Sequence, residues 1–436
     1  MAFLHSSSCE CVKSELDLFT LPPTQTSIEQ GEWVQYKPLA SLTDDSPIEF
    51  VVPGHGDEYI DLSHTMLHVQ AKIVKSDGGN TQATDMVSPV NNFLHSLFTQ
   101  VDVYLNQRLV SSPGNTYAYR SYIETLLNYG PAAKGSHLTA GLWYNDDAGN
   151  MDKTDETNGG FKARRNLTIK SKAVDLMGHI HADIFNQEKF LLNGVELRLR
   201  LIRSRDAFSL MSATSTFKVN IMEANLYVRK NKINPSVLLA HSKTLALTSA
   251  KYPVTKVEVK NVTIPTGVQS KTLDNIFLGQ LPKRVVVGFV GNAAFIGDMK
   301  KNPFNFQNFG LNFLALYVDG HQIPSRPLQP QYGTSNLYVH AYHTLFSGTG
   351  IHFLNEGNCI PREEYPEGNC LAAFDLTPDL SANTMTHWNL VRQGSLRLDV
   401  RFEANLTETI NCVVYGEFDN VVEIDNDRNV IMDYGN

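Results

Sequence analysis

Apolar and polar residues alternate with a strict period of two in two well-separated runs. In the first, Val195, Leu197, Leu199 and Leu201 share one face, and Glu196, Arg198 and Arg200 share the other. In the second, Leu396, Leu398, Val400 and Phe402 oppose Arg397, Asp399, Arg401 and Glu403. Successive side chains of a strand point to opposite faces, so both runs are expected to be strands with one face in a core. A helical period of 3.6 fits neither. The runs are also preceded by matching intervals. Asp175 and Leu176 stand before Gly194 as Asp375 and Leu376 stand before Gly394, with the aspartate 19 residues from the glycine in each case (194 − 175 and 394 − 375). The chain is therefore read as a duplication.

The same series of elements is expected in each half. In the first it is IEFVV from Ile48, then Leu67, Val69, Ala71 and Ile73 alternating with His68, Gln70 and Lys72, then Val101, Val103 and Leu105. A helix comes next, with Tyr119, Tyr122, Ile123 and Leu126 at helical spacing and Gly130-Pro131 ending it. A long polar stretch from Gly130 to Arg164 exceeds ordinary connection lengths and is expected to be an exposed projection. The second half offers KVEVKNVTIP, RVVVGFV, then Leu314, Leu316 and Val318 before the Asp319-Gly320 turn. Its helix holds Tyr338, Ala341, Tyr342, Leu345 and Phe346 and stops at Gly348. About eight antiparallel strands per half is the jelly-roll count, so the expected class is all-β, two tandem eight-stranded jelly rolls. The expected limits are an N-terminal arm at 1–45, a first jelly roll at 46–235, a linker at 236–249, a second jelly roll at 250–420 and an acidic tail at 421–436.

Composition narrows the function. The 436 residues suit two cores; 42% hydrophobic and 19% charged residues suit folded domains rather than disorder. A net charge of −8 without a long basic run argues against strong nucleic-acid binding by the chain alone. No secretory apolar segment comes after MAFL, and no run of eighteen apolar residues exists, so a soluble chain made inside the cell is expected, with no membrane span. Its five cysteines are expected to be reduced.

Candidate chemistry is sparse. His179 and His181, two apart on an expected strand, could chelate a metal as in a two-domain cupin enzyme, but no third ligand has suitable spacing. Gly130 to Ser136 (GPAAKGS) looks like a phosphate loop, yet it lacks the lysine after the second glycine and stands after a helix. Asp146, Asp147, Asp152 and Asp155 could be proposed as a calcium site of a carbohydrate-binding sandwich; without the spacing of a calcium loop they read as a solvated acidic stretch. His340 and His343 read as a solvated or interface pair, and Cys359 and Cys370 as free thiols. No catalytic residue, cofactor or metal is expected. The arm is different: Leu18, Phe19 and Trp33 have no evident place in either sandwich and are the candidate assembly residues. Deleting residues 1–40 is accordingly expected to leave both sandwiches folded.

Three segments carry a resemblance across essentially the whole chain. SELDLFTLPPTQTSIEQGEWVQYKPLAS (Ser14 to Ser41), VDVYLNQRLVSSPGNTYAYRSYIETLLNYG (Val101 to Gly130) and the ending YGEFDNVVEIDNDRNVIMDYGN resemble the hexon-type capsid protein of Polinton (Maverick) elements and adintoviruses. The resemblance implies a double jelly roll that forms homotrimeric, pseudo-hexagonal tiles of an icosahedral shell. It implies as partners further copies of the chain and a penton or minor capsid protein. The implied location is the virion, assembled in the host cytoplasm or nucleus. It carries over no catalytic residue.

Overall fold

The computed structural model describes residues 5–42, 46–351, 355 and 357–432. In the first half the jelly-roll strands, short additional strands aside, are β1 (Ile28–Tyr36), β2 (Ile48–Val52), β3 (Glu58–Lys75), β4 (Phe98–Leu105), β5 (Arg108–Leu109), β6 (Val174–His179), β7 (Leu197–Arg203) and β8 (Phe217–Ile233). In the second they are β9 (Ala250–Ile264), β10 (Ser270–Leu273), β11 (Arg284–Gly291), β12 (Leu311–Val318), β13 (His321–Leu328), β14 (Leu371–Asp375), β15 (Leu396–Phe402) and β16 (Ile410–Ile424). The first half forms antiparallel sheets ordered β1-β8-β3-β6 and β2-β7-β4-β5; the second forms β9-β16-β11-β14 and β10-β15-β12-β13. Adding eight to each strand number of one half gives the other. Among the described residues the long sheets are thus two copies of one jelly-roll topology.

The duplication extends to irregularities. Strand β4 (FTQVDVYL) and strand β12 (LNFLALYV) share one sequence of buried and part-buried positions. Each carries a register break at the same place against its partner, between Phe98 and Gln100 and between Leu311 and Phe313. A bulge puts one extra residue on one strand and re-aims the side chains beyond it, so a shared bulge is a shared device. The period-two runs behave as expected: Leu197, Leu199 and Leu201, and Leu396, Leu398 and Val400, all lie in cores. Trimming any of these leucines to alanine is expected to cost about 2–5 kcal/mol.

Three expectations change. The first strand of the first jelly roll is β1, not IEFVV: Ile28–Tyr36, inside the expected arm, pairs with β8 from Ile28↔Ile233 to Tyr36↔Leu226. Its residues are mostly exposed, so no alternation betrays it. The expected linker holds helix α3 (Pro235–Leu245), capped by Asn234, whose side chain accepts from the Ser236 amide at 2.9 Å. The stretch from Gly130 to Arg164 is not a free projection. It runs through short helical turns into helix α2 (Gly159–Thr168), and Trp143, Phe161 and the Arg164 side chain are fully buried.

The two expected helices are α1 (Tyr117–Asn128) and α4 (Val339–Ser347), each between the fifth and sixth strands of its half. Helix α1 is a wedge. Ala118, Tyr119, Tyr122, Ile123 and Leu126 belong to the apolar cluster of the second half, together with Phe289, Phe304 and Phe306. Tyr122 stacks on Phe304 with centroids 4.2 Å apart and planes 3° from parallel, and Tyr119 stacks on Phe295 at 5.2 Å. Conversely, Tyr252, Val254, Val422 and Ile424 of the second half enter the core of the first. The two cores interlock.

Candidate assembly surfaces

The residues that suggested chemistry are occupied by structure. Strand β6 ends at His179, and the His179 and His181 rings sit 6.3 Å apart at 71°, so the two do not share a strand face. His179 Nε2 faces Asn186 Oδ1 at 2.9 Å, and His181 Nδ1 faces Glu124 Oε2 at 2.5 Å. Among the described residues no group of three or more His, Cys, Asp or Glu is placed to hold a metal. In the GPAAKGS segment Lys134 is buried and donates to the carbonyls of Leu126 (2.7 Å) and Asn358 (3.2 Å). Burial lowers its pKa to about 8. This lysine ties the two halves together and faces no phosphate cradle.

The acidic stretch is corrected in the same way. The Asp146 side chain is sealed from solvent against Arg164 Nη2 at 2.6 Å and accepts from Asn302 Nδ2 of the second half at 2.8 Å. Asp152 accepts from the Asn302 amide at 2.9 Å and pairs with Lys301 at 3.3 Å. Asp147 and Asp155 remain exposed. The five cysteines are unpaired: Cys370 and Cys412 are buried, and Cys9, Cys11 and Cys359 are exposed.

Beneath α1 lies a buried ionic network that the sequence did not reveal. Arg120 reaches Glu124 at 2.8 Å and Asp183 at 2.7 Å, and Asp183 also accepts from the Val257 amide across the seam at 3.2 Å. Tyr415 donates to Glu417 at 3.1 Å and to Glu124 at 3.4 Å, and Arg284 pairs with Glu417 at 3.2 Å. Burial opposes ionisation of Glu124, but Arg120 and the hydrogen-bonded His181 prevail and hold its pKa at about 2. Charged residues at helical positions normally mark a wet face; here they are buried and paired at the seam between the two halves.

What remains open is surface. Among the assembly candidates Phe19 is 95% exposed and Leu18 74%. Trp33 lies apart from them on edge strand β1, 51% exposed, with the Arg229 guanidinium 5.8 Å from its ring centre. A second apolar patch escaped sequence reading: Leu380, Met385, Trp388, Leu390 and Val391 are all exposed on the loop before β15. Scattered apolar residues without a period in a Thr- and Asn-rich loop were the available signal. Clustering of exposed apolar residues along one loop is a feature of contact surfaces in soluble proteins.

No protein-family model matches the sequence. An uncharacterized protein of Caenorhabditis elegans is 26% identical over 431 residues, covering 95% of this chain and 99% of its own. Among solved structures, a chain of the Sputnik virophage superposes with a TM-score of 0.65 at 12% identity, covering 100% of this chain and 94% of the other. The mavirus major capsid protein gives 0.55 at 11% identity over 99% and 97%, and the PBCV-1 virus capsid gives 0.55 at 11% over 96% and 100%. This chain is a double jelly roll. Among the described residues its jelly-roll strands run from Ile28 in β1 to Ile424 in β16. Among the described residues no helix is long and apolar enough to cross a membrane.

Proposed function

We propose that this double jelly roll is a major capsid protein, hexon-like, three copies of which close into a pseudo-hexagonal tile of an icosahedral DNA-virus or virus-like transposon shell. The observation that carries the reading is the eight-strand order repeated in the two halves, in a fold that superposes on the mavirus major capsid protein over 99% of this chain. Two similar blocks side by side become six around a threefold axis, and closed symmetry prevents open polymers. An obligate contact of this kind needs on the order of 2,000 Å² or more per interface. The exposed apolar loop Leu380–Val391 and the edge strand bearing Trp33 are the surfaces offered for it, and the arm bearing Leu18 and Phe19 is offered for contacts between tiles. The segments Ser14 to Ser41 and Val101 to Gly130, with the ending from Tyr415, favour the Polinton (Maverick) and adintovirus type among such proteins. On this reading the domains are close to 46–235 and 250–420, with β1 added to the first. The partners are further copies and a penton protein, the chain turns over no substrate, and it resides in the virion.

Electron microscopy and sedimentation of the expressed protein, alone and with a candidate penton protein, test the reading. Trimers and hexagonally tiled shells are expected. A stable monomer at micromolar concentration, with no larger species on adding salt or penton protein, would overturn it. Removing residues 1–24 is expected to weaken assembly and leave the fold intact. Removing 1–40 deletes β1 as well and is expected to destabilise the first jelly roll.

A further inference from the structure

A groove of about 560 Å³ opens where the two halves join, between α3 and the chain segments leading into β7 and β9. Its volume is that of pockets that bury small ligands or a few large side chains, roughly 300–1,000 Å³. Its floor is apolar: Ile28, Ile233, Val237 and Leu245 line it. Its walls are held in place. Tyr59 Oη meets His241 Nδ1 at 2.9 Å, pinning α3 over β3, and Tyr252 Oη donates to the Phe190 carbonyl at 3.2 Å while accepting from the Leu192 amide at 3.2 Å. Lys189 and Lys251 stand exposed at the rim, with Lys189 Nζ donating to the Lys251 carbonyl at 2.9 Å, beside the single acid Glu188.

The arm has the complementary character. Its segment Glu15-Leu16-Asp17-Leu18-Phe19 alternates acid and apolar residues, and Leu16, Leu18, Phe19 and Leu21 are all exposed. It leaves the body at the groove itself, since Ser27 and Ile28 form part of the wall. Its root is held by hydrogen bonds. Gln25 brackets Ile28, accepting from its amide at 2.8 Å and donating to its carbonyl at 3.1 Å, and the Asn234 amide holds the Ser27 carbonyl at 2.9 Å. Pro22-Pro23 then stiffens the outgoing chain. Leu18 and Phe19 of the arm are exposed and do not line the groove of their own chain. Phe19 lies nine residues before Ile28 (28 − 19), a reach of up to ~28 Å in extended polyproline-like chain, enough to cross to an adjacent subunit.

We propose that this groove is the receptor for the arm of a second copy of this chain, with Leu18 and Phe19 seated on its apolar floor and Glu15 and Asp17 against Lys189 and Lys251. The proposal rests on the capsid reading and adds the acceptor site that reading lacks. Arm exchange joins copies through short, acid-flanked apolar anchors, so it is sensitive to salt at the rim and to shape at the floor.

The test uses full-length protein with Cys9, Cys11 and Cys359 changed to serine. One preparation carries Phe19→Cys, a second Thr248→Cys at the groove, and the two are mixed under assembly conditions and oxidised. A disulfide-linked pair of chains is expected, and it should be absent when Thr248→Cys is replaced by His340→Cys. Val237→Glu, and separately Thr248→Glu on the exposed rim in case the first does not fold, should leave trimers and abolish larger assemblies. A crosslink formed only within one chain carrying both cysteines would overturn the proposal. So would unaltered assembly of a folded groove variant without any crosslink, or a lipid found seated in the groove by native mass spectrometry with the arm left free. None of those results touches the capsid reading, which fails instead if the unmodified chain never forms trimers.

Discussion

Helices α1 and α4 hold the same place in two copies of one topology, yet their surroundings are opposite. Along α1 every residue from Tyr117 to Leu127 is buried, including Arg120 and Glu124. Along α4 only Ala341, Thr344 and Leu345 are, on the side facing β14, where Gly348 lets the helix end against the Ala373 backbone. The repeated topology supplies two equivalent helix positions; the junction between the halves makes one of them a shared core element and leaves the other largely at the surface. The burial of a helix is thus set by which neighbour its half acquires, and the ionic network under α1 is a consequence of that position.

The largest effect is therefore expected at Glu124. Glu124→Ala deprives buried Arg120, His181 and Tyr415 of their shared acceptor while Arg120 keeps Asp183, and breaking such a buried pair costs about 3–5 kcal/mol. Urea unfolding of the purified protein checks it; a loss under about 1 kcal/mol would mean the network is not closed in solution. Acid should reproduce part of the same loss. The folded-state pKa of Glu124 lies below its ordinary 4.5, at about 2, so its contribution is complete above pH 4.5 and is lost as pH falls toward 2. At 1.36 kcal/mol per unit, that shift corresponds to roughly 3–4 kcal/mol as an upper bound, reduced by Asp183, whose pKa burial raises. Unfolding midpoints at pH 6 and pH 3 should differ less in Glu124→Gln than in the unmodified protein.

A smaller effect is expected at α3, which joins the halves from outside. Asn234→Ala removes the N-cap bond to the Ser236 amide and should cost about 1 kcal/mol. Hydrogen exchange should then speed up over the first turn of α3 and leave the α1 amides unchanged.

These contrasts bear on how much the residues alone disclose. Strands β7 and β15 are legible because one side of each faces a core, which writes a period of two into the sequence. Strand β1 is not: IEQGEWVQY is an edge strand with most residues in solvent, so nothing selects alternation, and Gly31 within it suggests a loop. The helical spacing of α1 is legible, but its polar face reads as wet. A buried Arg120–Glu124 pair at i, i+4 is written like an exposed one, and only the partners Asp183, His181 and Tyr415, distant in sequence, distinguish them. The stretch from Gly130 to Arg164 misleads for the same reason, since Arg164 and Asp146 neutralise each other out of water. The assembly candidates are legible because apolar residues without a period have no core to enter.

The smallest expected effect lies on α4 and sharpens the contrast most. His340 is exposed on α4, next to Val339, which is also exposed. A surface substitution away from caps, cores and charge networks usually changes stability by less than about 0.5 kcal/mol, so His340→Ala should leave the unfolding midpoint of the isolated protein unchanged. Glu124→Ala, one topological copy away, should move it severalfold more. If His340→Ala instead costs more than about 1 kcal/mol in the isolated chain, α4 is buried against something, and the two helices are more alike than their surroundings indicate. If it is silent in the isolated chain but weakens the assembled particle, the outward face of α4 meets a neighbouring subunit. The second helix would then do between copies what the first does between halves.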